Sequence, residues 1–156
     1  MKAPLRIGIA GLGTVGAGVV KLLAEHNRLL SLRGGRRLKL VAVSARSKAK
    51  KRDIDLDGVR WEKDPLALAT ASDIDVVVEL SGGSSGVAKR LAERALRSGK
   101  HVVTANKALL AMHGAEFAAL AEKRGAILAF EAAVAGGIPI IKALREGLVG
   151  HRVGRL

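Results

Sequence analysis

The stretch Leu5-Arg6-Ile7-Gly8-Ile9-Ala10-Gly11-Leu12-Gly13-Thr14-Val15-Gly16 decides the fold. Leu5 to Ala10 is a short apolar run, and from Thr14 onward Val15, Val19, Leu22 and Leu23 recur at helical spacing. Between them Gly11, Gly13 and Gly16 form a GxGxxG turn in the strand-to-helix context that gives the motif meaning. Gly11 permits a sharp turn, Gly13 lets backbone approach a pyrophosphate, and Gly16 lets the helix pack close to the sheet. The N–H groups of Leu12, Thr14 and Val15 then face the anion at the helix N-terminus.

Outward from this unit the period keeps switching. After a loop marked by Gly34 and Gly35, Leu38 to Ser44 predicts a second strand, and a strand-helix-strand with so long a connection predicts a parallel crossover. Asp64 and Pro65 predict an N-cap and first-turn proline for a brief helix over Leu66 to Ala71. Asp75 to Leu80 is the continuous apolar run of a strand buried on both faces. Val87 to Leu96 is an amphipathic helix stopped by Gly99, followed by a fourth strand at His101 to Thr104. A helix over Ala108 to Arg124 closes at Gly125, a fifth strand covers Ala126 to Phe130, and a last helix runs from Pro139 to Leu148 before Gly150. The alternation predicts an α/β fold, a doubly wound mostly parallel sheet of Rossmann type, with ligands at the carboxyl ends of the strands. Residues 1–150 form the dinucleotide-binding domain in this reading, and 151–156 begin one more strand leading toward a domain outside the chain.

Composition narrows the class. At 156 residues the chain holds one domain, and 49% hydrophobic residues are enough for a core, built from aliphatics because only 2% are aromatic. The absence of cysteine rules out disulfides and thiolate metal sites and is in keeping with a cytoplasmic protein. Ala132 to Ile141, an uncharged apolar stretch, is broken by Gly136, Gly137 and Pro139 and falls short of the ~20 residues of a membrane span; no membrane partner is expected. The formal charge of +13 invites a polyanion-binding reading. Nine of the 27 basic residues, however, lie between Arg33 and Arg52, and no acid occurs between Glu25 and Asp53. With so few aromatics and no nucleic-acid motif, a nucleic-acid partner is not expected.

The local charge bears on the coenzyme. An acid about 20 positions beyond the turn would bind the adenine ribose of NAD. Here the second strand ends Val43-Ser44-Ala45-Arg46-Ser47-Lys48, so Ser44 and Arg46 are placed for the 2′-phosphate of NADP, while Lys50 to Arg52 are expected at the surface. Trp61 is read as a packing residue. His26, His101, His113 and His151 are scattered and give no metal-ligand spacing.

Three further segments, Val78-Glu79-Leu80-Ser81-Gly82-Gly83, Gly99 to Ala108 (GKHVVTANKA) and Phe130 to Pro139 (FEAAVAGGIP), together with GLGTVG, resemble homoserine dehydrogenase in order and spacing across essentially the whole chain. The chain departs from the family at Ser81 and in having Ser84-Ser85-Gly86 where a proline is usual. The resemblance implies reversible hydride transfer between NADPH, with NADH possible, and the small-molecule substrate L-aspartate 4-semialdehyde, giving L-homoserine. Ser81 and Gly82 would lie against the ribose and nicotinamide, beside Thr104 and Lys107 at the end of the fourth strand. Lys107 would act on the substrate oxygen. The loop after Glu131 resembles a monovalent cation site, usually sodium, formed by Glu131 with carbonyls of Val134, Gly136 and Ile138. The family's substrate-binding acids, principal catalytic lysine and most subunit contacts lie in a following domain. The full-length enzyme is thus expected to be a homo-oligomer, and this chain to bind coenzyme without appreciable turnover. A non-catalytic NADP-binding module, or a piece of another Rossmann oxidoreductase, is the alternative.

Overall fold

The computed structural model of the chain describes residues 2–152 and residue 154. Its elements in chain order are β1 (Leu5–Ala10), α1 (Thr14–Glu25), α2 (Asn27–Gly34), β2 (Leu38–Ser44), β3 (Arg60–Glu62), a 3₁₀ turn (Pro65–Ala69), β4 (Val76–Glu79), α3 (Gly86–Arg97), β5 (His101–Thr104), α4 (Lys107–Arg124) and β6 (Leu128–Ala129). Two 3₁₀ turns (Glu131–Ala133 and Ala135–Gly137), a single α-turn α5 (Ile140–Lys142) and a π-helical turn (Ala143–Gly147) follow.

The six strands form one sheet in the order β3-β2-β1-β4-β5-β6, and every pairing is parallel. The chain leaves β1 toward β2 and β3, then returns to the other side of β1 for β4, β5 and β6. The direction of winding therefore reverses between β1 and β4, and a crevice opens there at the carboxyl ends of the strands. Four strand ends lie flush in one row, with Ala10 paired to both Ser44 and Glu79, and Glu79 to Thr104.

Both faces of the sheet are covered, which is why β4 is buried along its whole length. Ile7, Ile9, Val43, Val76 and Val78 pack with Val20 of α1 on one face. Ala42, Val77 and Val102 pack with Leu91 and Leu96 of α3 and with Leu109 and Phe117 of α4 on the other. The period of two along β4 thus sends Val77 to one layer and its neighbours to the opposite one. At the amino ends of the strands Asp75 accepts from the Arg6 backbone N–H and from its guanidinium, at 2.7 Å for the shortest bond. That pair holds the Asp75 carboxyl down to about 2. Lys100 donates to the carbonyls of Ala71 and Ile74, and burial lowers its pKa.

Several expectations are corrected. The segment before Gly35 is a helix, α2, with Gly35 as its left-handed cap at φ 63°; none of its residues is buried, so it shows no apolar stripe. β3 is an additional strand, three residues long, that exists through pairing with β2. The strand expected over Ala126 to Phe130 pairs only at Leu128 and Ala129. The single helix expected from Pro139 to Leu148 is an α-turn running into a π-turn. The brief helix after Asp64 is a 3₁₀ turn from Pro65, with the Asp64 carboxylate accepting from Leu66 N–H as a cap. Of the strand expected over 151–156, Val153, Arg155 and Leu156 lie outside the described residues.

Candidate functional site

The crevice holds a cavity of about 730 Å³, the size of a cofactor site. Its floor is the glycine turn. Gly11 has φ 99°, and a Cβ there would lie 2.5 Å from the Leu80 carbonyl oxygen; a Cβ on Gly16 would lie 1.9 Å from the Gly11 carbonyl oxygen. Both positions are closed to side chains by the protein's own backbone. Gly13 differs: its backbone is extended, and a Cβ would meet nothing within 4 Å. Among the described residues nothing requires glycine at 13, so the space above it is room for something else. Helix α1 begins at Thr14, and its first internal bond is Ala17 N–H to Gly13 O at 2.9 Å. The N–H groups of Thr14, Val15 and Gly16 precede that bond, and no acid stands in the first turn. The positive end of α1 is therefore open to an anion.

On the β2 side Ser44 is buried, its carbonyl accepting from Gly11 N–H at 2.8 Å, and Arg46 is exposed at the cavity wall. Among the described residues no carboxylate lines this wall. Lys50, Arg52 and Lys63 line it as well. Lys50 and Lys51 are exposed, as expected of surface residues, whereas Arg52 is half-buried. The Arg52 guanidinium donates to the Leu12 carbonyl at 2.9 Å and to the Lys50 carbonyl at 2.8 Å, and lies 5.7 Å from the Trp61 ring. It ties the loop after β2 to the glycine turn. Lys21 of α1 pairs with Asp53 of the same loop. Trp61 packs against the α1-side core, as expected of a packing residue.

On the β4 side Ser81 and Gly82 line the cavity, with Gly82 at φ 77° and Gly83 at φ 87°. Beneath them lies Glu79, fully buried. Its Oε1 accepts from Ser81 N–H at 2.8 Å and from Ser81 Oγ at 2.6 Å, and its Oε2 from Thr104 Oγ1 at 2.9 Å. Thr104 Oγ1 accepts in turn from Asn106 N–H, while the Asn106 side chain donates to Gly83 O and accepts from Leu109 N–H as the cap of α4. Sequence inspection passed over Glu79, because an acid closing an apolar run looks like an ordinary strand end.

The structure brings Gly11, Leu12, Gly13, Ser44, Arg46, Ser81 and Gly82 to one cavity, with Thr14, Val15 and Gly16 opening the helix behind it. Thr104 lies under the crevice wall rather than in it. Lys107 is not a strand-end residue: it is the first residue of α4, exposed, next to the Asn106 cap. Glu131, Val134, Gly136 and Ile138 lie on a separate segment. There Glu131 is the first residue of a 3₁₀ turn, and its two carboxylate oxygens accept from Ile141 N–H at 3.0 Å and Lys142 N–H at 3.1 Å. The Ile138 carbonyl accepts from Ile140 N–H at 2.7 Å. Each of these oxygens keeps a lone pair beyond that bond, and hard oxygens are the donors a monovalent cation takes. Among the described residues no three His, Asp or Glu side chains converge on a point that could hold a metal, and no helix is long and apolar enough to cross a membrane.

Residues 11–131 match the family model described as the NAD binding domain of homoserine dehydrogenase. The chain is 50% identical to a homoserine dehydrogenase of Neisseria gonorrhoeae over 96% of its own length and 34% of the relative's. It is 46% identical to one of Pseudomonas aeruginosa, over 98% and 35%. The crystal structure of a homoserine dehydrogenase from Thiobacillus denitrificans superposes with a TM-score of 0.87 at 44% identity, covering 96% of this chain and 34% of that one. A hyperthermophilic archaeal homoserine dehydrogenase in complex with NADPH gives a TM-score of 0.76 at 28% identity, over 94% and 50%. The chain spans about a third of the length of the curated relatives it matches.

Proposed function

The chain belongs to the homoserine dehydrogenase family, within its nucleotide-binding domain, and we propose that it binds NADPH in preference to NADH across the crevice between β1 and β4. The observation that carries this reading is the glycine turn: space at Gly13 that no protein atom uses, facing the open end of α1. The pyrophosphate rests there. Adenosine then lies over β2, where a buried Ser44, an exposed Arg46 and the lack of a carboxylate suit a 2′-phosphate. The archaeal relative's NADPH supports the same choice.

When bound, the coenzyme supplies or takes up the hydride that interconverts L-aspartate 4-semialdehyde and L-homoserine. Ser81 and Gly82 form the wall against which its nicotinamide half lies. Lys107 is the catalytic residue contributed by this chain. Its ammonium stands at the positive end of α4, so side chain and helix terminus both favour negative charge on the substrate oxygen. Turnover needs further groups to grip the substrate, and these 156 residues alone bind coenzyme without appreciable turnover. A homo-oligomeric, cytoplasmic enzyme is the corresponding reading for the longer protein. Residues 1–150 serve as the coenzyme domain. A monovalent cation such as sodium would be held by Glu131 with the carbonyls of Val134, Gly136 and Ile138.

The test is fluorescence titration with both reduced coenzymes, repeated on Arg46→Asp. A charge-assisted bond is worth about 1.5–3 kcal/mol, so NADPH affinity should fall at least ~10-fold while NADH affinity holds. Equal loss for both, or no binding by the unaltered chain, overturns the reading.

A further inference from the structure

We propose that Glu79 is the positioning residue of the nicotinamide side of the crevice, an assignment that rests on the coenzyme reading above. The carboxylate is 0% exposed, and no cation pairs with it among the described residues. Burying such a group without a counter-charge costs several kcal/mol and is poor value for stability alone. Its partners show what it does. Ser81 N–H can only donate, and the Thr104 hydroxyl, already accepting from Asn106 N–H, sends its proton to Oε2. Glu79 accepts at both ends at once, through Oε1 from Ser81 and through Oε2 from Thr104.

The bonds close a ring. From Glu79 they run to Ser81, along the backbone to Gly83, across to the Asn106 side chain, back through Asn106 N–H to Thr104, and so to Glu79. The ring fixes two things at the crevice. One is the course of the Ser81-Gly82-Gly83 turn, whose two glycines sit at positive φ and have no protein within 4 Å of a Cβ. The other is the start of α4, where Asn106 caps the helix and Lys107 follows. In this sheet order adenosine takes the β2 side of the crevice, which leaves the β4 and β5 side, where the ring lies, to the nicotinamide half.

A ligand carrying only the adenosine half separates this role from a general structural one. Glu79→Gln keeps the volume but replaces one acceptor with a donor, and Thr104→Val removes the hydroxyl without touching the cavity wall. Each should weaken NADPH about 10-fold, the equivalent of one charge-assisted bond, and leave adenosine 2′,5′-bisphosphate within about twofold. Titration of both ligands, with thermal unfolding run alongside, reads the result; if Glu79→Gln does not fold, Thr104→Val carries the test. Unchanged NADPH affinity in the variants, or equal losses for both ligands, overturns the assignment while the coenzyme reading stands. Failure of the unaltered chain to bind NADPH overturns both.

Discussion

Placing alanine at position 13 separates space needed by the protein from space needed by a ligand. The backbone there, at φ −74° and ψ −164°, is open to any L-residue, and the new methyl group would have no protein neighbour within 4 Å. Alanine lowers the entropy of the unfolded chain, a gain of about 0.4–1 kcal/mol, but caps a helix less well than glycine by a similar amount. Net stability should therefore stay within about 0.5 kcal/mol of the unaltered chain. Binding should not. A methyl over the turn holds the pyrophosphate away from the N–H groups of α1, and one charge-assisted hydrogen bond is worth about 1.5–3 kcal/mol, or ~10- to 100-fold in affinity. Gly16→Ala supplies the converse. Its methyl would press to 1.9 Å from the Gly11 carbonyl oxygen, so backbone must move, at a cost of about 3 kcal/mol or more. Urea unfolding and NADPH titration of the two variants read both quantities. If Gly13→Ala binds within threefold of the unaltered chain, or unfolds as readily as Gly16→Ala, the pyrophosphate does not lie where we put it.

Asp75→Asn should destabilise the chain by on the order of 1–2 kcal/mol at pH 7, because the Arg6 pair is lost. The Asp75 carboxyl sits at about 2, below its usual value near 4, so its contribution is complete above pH 4 and disappears as pH falls toward 2. Unfolding midpoints of the two proteins should accordingly converge over that interval, and a gap that persists at pH 2 contradicts the linkage. Glu131→Ala removes the acceptor for two α5 amides and should cost about 1 kcal/mol locally. Hydrogen exchange at Ile141 and Lys142 should quicken, whereas unaltered exchange would show that the cap contributes nothing.

The strands and helices that carry their own period were legible in the chain. β2 and β5 fall where their β-branched runs lie, and Gly125 ends α4 in the left-handed cap its position implied. Elements that exist through partners were not. β3 is three residues held by register with β2, and α2 buries nothing that would leave a stripe. The site divides along the same line. Gly11, Gly13 and Gly16 were legible from their spacing between a strand and a helix, and Arg46 follows directly from the end of β2. Arg52 gains its place only because the loop after β2 folds back to Leu12, a contact forty positions away in the chain. Glu79 gains its place from the pairing that sets it beside Thr104. Lys107 was found by its motif, but its place at a helix start became visible only when Asn106 was seen to cap α4.

The outermost strands of the sheet, β3 and β6, are three and two residues long. Each rim, among the described residues, therefore offers a stranger too few free amides and carbonyls for a second chain to zip onto it. A parallel sheet must wait for distant segments to meet as it assembles. Closing its margins this tightly limits how long a half-made molecule can recruit its neighbours into insoluble stacks.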